Sequence, residues 1–170
     1  MHDETAIITL FLLWNCFVMM VNNKSHILAV DNITSNRFLL EEMFKCVDHK
    51  VTLADSVMQA LDLCEQYEFD LFLLDVSMCD VNGFELARQL RDNHKTKHIQ
   101  IIFITGIKKQ CFNHLQGLNK GAIDYIEKPV DSGLLTSKVN DCLRFSTQEK
   151  LLHIQNQKLK SEIKRRKNLE

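Results

Sequence analysis

The sequence predicts an α/β fold, a parallel sheet with helices on both faces, and three observations carry that expectation. Five short apolar runs alternate with stretches of helical periodicity. The runs are nearly continuous in apolar residues, as strands buried on both faces are. Four of them lead into polar or charged residues, at the strand ends where such sheets bind ligands.

Composition narrows the function classes. The 170 residues suffice for one ordinary domain with extensions. A hydrophobic fraction of 45% and a charged fraction of 25% are those of a soluble globular protein. The formal charge of −1 gives no general attraction to nucleic acid or acidic membranes, so a partner must be recognised by a local surface. One proline and five glycines argue against long disordered linkers. The six cysteines (16, 46, 64, 79, 111, 142) include no Cys-x-x-Cys and no paired histidines, which points to free thiols in a reducing cytoplasm.

Residues 6–21, AIITLFLLWNCFVMMV, form an almost uncharged run. It falls short of the roughly 20 residues that span a bilayer. A cleaved signal peptide would begin with basic residues, where this chain has His2, Asp3 and Glu4. Two readings stand for this N-terminal extension, residues 1–24. One is a membrane anchor with Lys24 on the cytoplasmic side. The other is a native start at Met19 or Met20, leaving the upstream stretch outside the folded protein.

From Ser25 the chain changes character. Residues 26–30 (HILAV) read as the first strand and lead into Asp31-Asn32. Thr34 or Ser35 can cap a helix in which Phe38, Leu39, Met43, Phe44 and Val47 recur at helical spacing. Residues 50–54 (KVTLA) form the second strand, and Val57, Ala60, Leu61 and Cys64 share a face of the next helix. Residues 69–74 (FDLFLL) are the third strand, ending at Asp75 before the loop VSMCDVNG. Phe84, Leu86, Ala87 and Leu90 pattern a third helix, and residues 99–104 (IQIIFI) a fourth strand ending at Thr105-Gly106. Cys111, Leu115 and Leu118 mark a fourth helix. Residues 123–126 (IDYI) run into Lys128-Pro129, and a fifth helix should begin near Asp131 and Ser132.

An Asp after a strand is usually a cap, a Thr there usually satisfies backbone, and a lone Lys is usually solvated. Two acids, a hydroxyl and an ammonium after four separate strands are harder to explain that way. The chemistry they suit is phosphoryl transfer to a carboxylate, because an aspartate can act as nucleophile and form an acyl phosphate. A hard divalent cation, Mg²⁺, would bridge acidic and phosphoryl oxygens. The lysine suits the role of a mobile point charge on the phosphoryl oxygens, and the threonine that of a hydroxyl donor.

Taken in order, SHILAVDNITSNRFLLEEMF, DLFLLDVSMCDVNGFELARQLR, IIFITG and GAIDYIEKPV resemble the receiver domain of two-component response regulators over roughly residues 26–144. The resemblance implies a doubly wound, flavodoxin-like sheet with strand order 2-1-3-4-5, and a receiver domain at 25–145. It makes Asp75 the phosphoacceptor. Asp31 and Asn32 fill the acidic pair's two places at Mg²⁺, and Ser77 gives it a backbone carbonyl. Thr105 becomes the switch hydroxyl, Tyr125 the switch aromatic and Lys128 the phosphate-binding lysine, with a cis Lys128–Pro129 bond. The implied donor is a histidine kinase or a histidine phosphotransfer protein, and the implied place of action is the cytoplasm. Phosphorylation would draw Thr105 inward, let Tyr125 repack, and change the face of the fourth helix, fifth strand and fifth helix.

Two positions depart from the family pattern. Asn32 stands where an acid usually contacts the metal, so the site has one negative charge fewer and weaker metal binding is expected. Cys79 stands where proline commonly follows methionine, here Met78. The nucleophile, the hydroxyl and the lysine are all retained.

After Gly133 nothing breaks the fifth helix. Phe145, Leu152 and Leu159 lie seven apart, as do Asn156 and Ile163, a heptad pattern with one polar core position. Residues 146–170 therefore read as a helical, coiled-coil tail that could pair two copies, and they resemble the signalling helix that joins receivers to downstream modules. Nothing resembles a nucleic-acid-binding output, and a membrane enters only if residues 6–21 are an anchor.

Two other functions compete. Asn32 favours a receiver-like interaction module that works without phosphate. An aspartate-nucleophile phosphatase would carry a second Asp two residues after the first, where this chain has Ser77, so the chain is read as a switch and not as an enzyme of turnover.

Overall fold

The computed structural model describes residues 24–45, 49–78, 83–106 and 122–167. Five parallel strands, β1 (His26–Val30), β2 (Lys50–Ala54), β3 (Leu71–Asp75), β4 (Gln100–Thr105) and β5 (Ala122–Glu127), lie in the order β2-β1-β3-β4-β5. The described helices are α1 (Thr34–Phe44), α2 (Val57–Gln66), α3 (Gly83–Asp92) and α4 (Ser132–Lys167). The expected helix at Cys111, Leu115 and Leu118 lies outside the described residues, as do residues 6–21. No helix among the described residues is long and apolar enough to cross a membrane.

Each strand sends alternate side chains to opposite faces. Leu28, Val30, Phe72, Leu74, Ile101 and Phe103 form one core with Ala60 and Cys64 of α2 and Leu86 and Leu90 of α3. Ile27, Ala29, Leu71, Leu73, Ile102 and Ile104 form the other with Leu40 and Phe44 of α1 and Leu135 and Val139 of α4. Both faces of β1, β3 and β4 are covered, so the central residues of these strands are apolar on both sides.

The helix starts show how the chain turns at the sheet edge. Ser56 caps α2, its hydroxyl accepting from the Gln59 N–H at 3.3 Å. At α1 the expected caps are not used. Ile33 occupies the cap position with no side-chain bond, and the Asp31 carboxylate takes the Ile33 N–H at 2.8 Å. The apolar face of α1 also differs from expectation. Phe38 and Leu39 are exposed, whereas Leu40 and Phe44 are buried. An 11-residue helix offers apolar residues on two faces, and the sheet selects the one four residues apart.

The helix α4 follows the cis Lys128–Pro129 bond and the two residues after it. Its 36 residues span about 54 Å at the helical rise. The strands, five or six residues long, reach only about 20 Å. More than half of α4 thus has no sheet to lie on, and Phe145, Leu152, Leu159 and Ile163 are exposed along it.

Candidate functional site

The carboxyl edge of the sheet gathers three of the sequence-predicted residues into direct contact. Asp31 follows β1, Asp75 ends β3, and Lys128 follows β5. Both carboxylates are buried, each residue 1% exposed, in a dielectric that makes unpaired charge costly. Lys128 Nζ lies 3.0 Å from Asp31 Oδ2 and 3.0 Å from Asp75 Oδ2, so one ammonium serves two carboxylates. These three groups carry a net charge of −1 when ionised.

The two acids are held differently. Asp75 Oδ1 accepts from the Ser77 N–H at 3.1 Å. Lys128 approaches Asp75 Oδ2 off the direction of a hydrogen bond, so that oxygen makes none among the described residues. Asp31, in contrast, takes hydrogen bonds on both oxygens, from Ile33 N–H, Asn36 Nδ2 and Lys128 Nζ. Arg37 grips the same loop by donating to the Asp31 carbonyl at 2.7 Å and the Thr34 hydroxyl at 3.1 Å.

Thr105 ends β4 and is buried, and its carbonyl accepts from the Lys128 N–H at 2.8 Å, tying β4 to the lysine loop. Tyr125 sits beside Phe103 in the β4–β5 register and packs half-buried on the core over α2 and α3, not among the carboxylates. Cys79 lies outside the described residues. Gly106 leaves open space where a Cβ would project, so its small size does not shape the site among the described atoms.

Asn36 and Gly83 were not legible as site residues in the sequence, nor was Arg37 as a brace of the loop backbone. Gly83 opens α3 against the strand end, where an added Cβ would lie 2.1 Å from the Asp75 carbonyl oxygen. Only glycine lets the chain return so close beneath Asp75. The loop glycine before a helix was a visible signal, but its neighbour was not.

Could these residues hold a hard cation? Among the described residues no three His, Cys, Asp or Glu side chains converge. Yet two buried oxygens, Asn32 Oδ1 and Asp75 Oδ2, lack a hydrogen-bond partner there. Buried oxygens without a hydrogen bond, beside a second carboxylate, are the donor type that Mg²⁺ takes. The donor set fits, with the Asn32 amide oxygen in place of a charge.

Residues 27–140 match the response regulator receiver domain. The chain is 37% identical over 118 residues to a probable cyclic di-GMP phosphodiesterase of Vibrio cholerae, covering 69% of this chain and 26% of that protein. It is 33% identical over 119 residues to the protein PilH of Pseudomonas aeruginosa, covering 70% of this chain and 98% of that one. Among solved structures, a CheY-like receiver domain protein from Methanospirillum hungatei superposes with a TM-score of 0.67 at 27% identity, covering 75% of this chain and 99% of that chain. The chain thus spans about a quarter of its Vibrio relative and nearly all of PilH.

Proposed function

The chain belongs to the response regulator receiver family, and we propose that it is a phosphorelay switch that accepts a phosphoryl group on Asp75. The observation that carries this reading is the lysine shared between two buried carboxylates, with Asp75 Oδ2 free of hydrogen bonds among the described residues. Receivers take their phosphoryl group from histidine kinases or histidine phosphotransfer proteins, and such a protein is the proposed donor here. An Asp75 oxygen attacks the phosphorus as the bond to the donor nitrogen breaks, leaving an acyl phosphate. Lys128 gives up its carboxylate contact to follow the charge onto the phosphoryl oxygens. Thr105 supplies a hydroxyl donor whose inward movement frees Tyr125 to repack.

Receivers of this family bind Mg²⁺, which supplies positive charge against the phosphoryl oxygens. Asp31, Asp75, the Asn32 amide oxygen and the Ser77 carbonyl are the groups that would hold it. The altered face then acts through α4, whose exposed heptad residues Phe145, Leu152 and Leu159 support a homodimer along the tail, with the cytoplasm as the place of action. Sedimentation of the full chain beside Leu152→Glu/Leu159→Glu tests the dimer, which the double substitution should dissociate.

The reaction is tested by intact mass after incubation with acetyl phosphate and Mg²⁺. The expected result is a gain of one phosphoryl group, absent in Asp75→Asn and in excess chelator. A wild-type chain that gains nothing under conditions that label an ordinary receiver would sink the reading and favour the phosphate-independent module.

A further inference from the structure

The Asp31 carboxylate is saturated, and one side chain does most of the saturating. Oδ1 accepts from the Ile33 N–H at 2.8 Å and from Asn36 Nδ2 at 3.1 Å. Oδ2 accepts from Asn36 Nδ2 at 2.9 Å and from Lys128 Nζ at 3.0 Å. A carboxylate offers about four lone-pair sites, so no oxygen of Asp31 is idle. A cation that takes Asp31 must displace one of these contacts.

Lys128 is the contact that can yield. It sits on a flexible four-carbon stem, its side chain is 25% exposed, and Asp75 is a second partner for it. The Ile33 N–H is fixed by the loop backbone, and Asn36 bridges both oxygens from the first turn of α1. When Lys128 leaves, Asn36 is, among the described side chains, the one that still holds the carboxylate against rotation.

We propose that Asn36 is a positioning residue for cation binding, holding Asp31 Oδ2 toward Asp75 so that the site keeps a preformed pair of carboxylates. This rests on the reading of Asp31 as a cation ligand. The effect matters here because Asn32 brings no charge, so among the described residues Asp31 and Asp75 are the carboxylates that attract the cation. Arg37 braces the backbone of the loop separately, through the Asp31 carbonyl and the Thr34 hydroxyl.

The experiment titrates the full chain with MgCl₂, following the Ser77 amide resonance, for wild type, Asn36→Ala and Arg37→Gln, with thermal unfolding of each. Asn36→Ala should weaken Mg²⁺ binding about tenfold, the usual scale for losing a group that orients a ligand. Arg37→Gln should lower the melting temperature and leave Mg²⁺ affinity unchanged. Should Asn36→Ala fail to fold, Asn36→Ser keeps one donor and should give a smaller loss of affinity. Equal affinity in wild type and the Asn36 variants overturns the proposal alone, as does an equal loss in Arg37→Gln. A wild-type chain with no saturable response to Mg²⁺ overturns both this proposal and the reading beneath it.

Discussion

Where β1 begins, His26 has both ring nitrogens engaged, Nδ1 by the Glu68 carbonyl at 3.1 Å and Nε2 by the Thr52 hydroxyl at 2.7 Å. Its backbone N–H donates to Asp70 Oδ2 at 3.0 Å. Where β1 and β3 end, Asp75 Oδ2 and Asn32 Oδ1 are buried with no hydrogen bond among the described residues. Both edges bury polar groups, yet the amino edge uses them to tie strands together and the carboxyl edge leaves oxygens available. Gln100 and His49 are exceptions at the amino edge, where both polar atoms of the buried Gln100 amide and the His49 Nδ1 make no hydrogen bond among the described residues. The Gln100 amide is neutral, so its oxygen concentrates no charge. Oxygens without hydrogen bonds beside two carboxylates and a lysine are what make the carboxyl edge the candidate site.

The sharpest way to break this contrast is to remove a lysine from each edge. Lys128→Met leaves two buried carboxylates without their shared ammonium, and the loss should be about 4 kcal/mol at neutral pH, the scale for orphaning a buried charge. Added Mg²⁺ should restore part of it. At the amino edge the Lys50 ammonium lies 5.4 Å from the Tyr67 ring centroid, and Lys50→Met should cost no more than about 1 kcal/mol. Urea denaturation of both variants measures the difference, and equal losses would erase the distinction. Next in size is Gly83→Ala, expected to cost about 3 kcal/mol because its Cβ must push the Asp75 carbonyl aside.

Substituting an acid at each edge should give opposite signs. Asp75→Asn leaves one carboxylate for one ammonium, and should stabilise the protein by about 1 kcal/mol while abolishing phosphorylation. Asp70→Ala deprives the His26 N–H of its acceptor, and should destabilise by about 1 kcal/mol. A destabilised Asp75→Asn would mean that the acid serves the fold rather than strains it.

The same contrast explains what the sequence could reveal. Asp31, Asp75 and Lys128 were legible because a strand's end is a topological position, fixed by apolar runs that periodicity exposes. The strand order came from the family likeness, and the alternating apolar residues of both cores agree with it. Phe38 and Leu39 were misplaced because helical spacing alone leaves two faces of α1 open. Asn36 and Gly83 were missed because their roles depend on the path of a loop around a strand end. Neither residue type announces a carboxylate clamp or a close backbone approach without its neighbour in view.

The smallest effect concerns His26 and probes the amino edge by pH. Burial first, and then the charge of Lys50, hold its pKa below the ordinary value of 6.5, against the opposing pull of the Glu68 carbonyl and Asp70. With Nδ1–H donating to Glu68, Nε2 accepts from Thr52, a pattern that suits the neutral ring. The unfolded chain binds this proton more readily than the folded one, so stability rises with pH through this window. The contribution is full above 6.5, fades as pH falls from 6.5 through the lowered folded value, and is constant below it. His26→Gln should flatten that part of the curve, read as the difference in melting temperature between pH 7.5 and pH 5 at fixed ionic strength. Asp75→Asn, acting at the other edge, should leave the His26 component in place. If His26→Gln leaves the slope between those pH values unchanged, the ring carries no linkage and the amino edge is held by its backbone bonds alone.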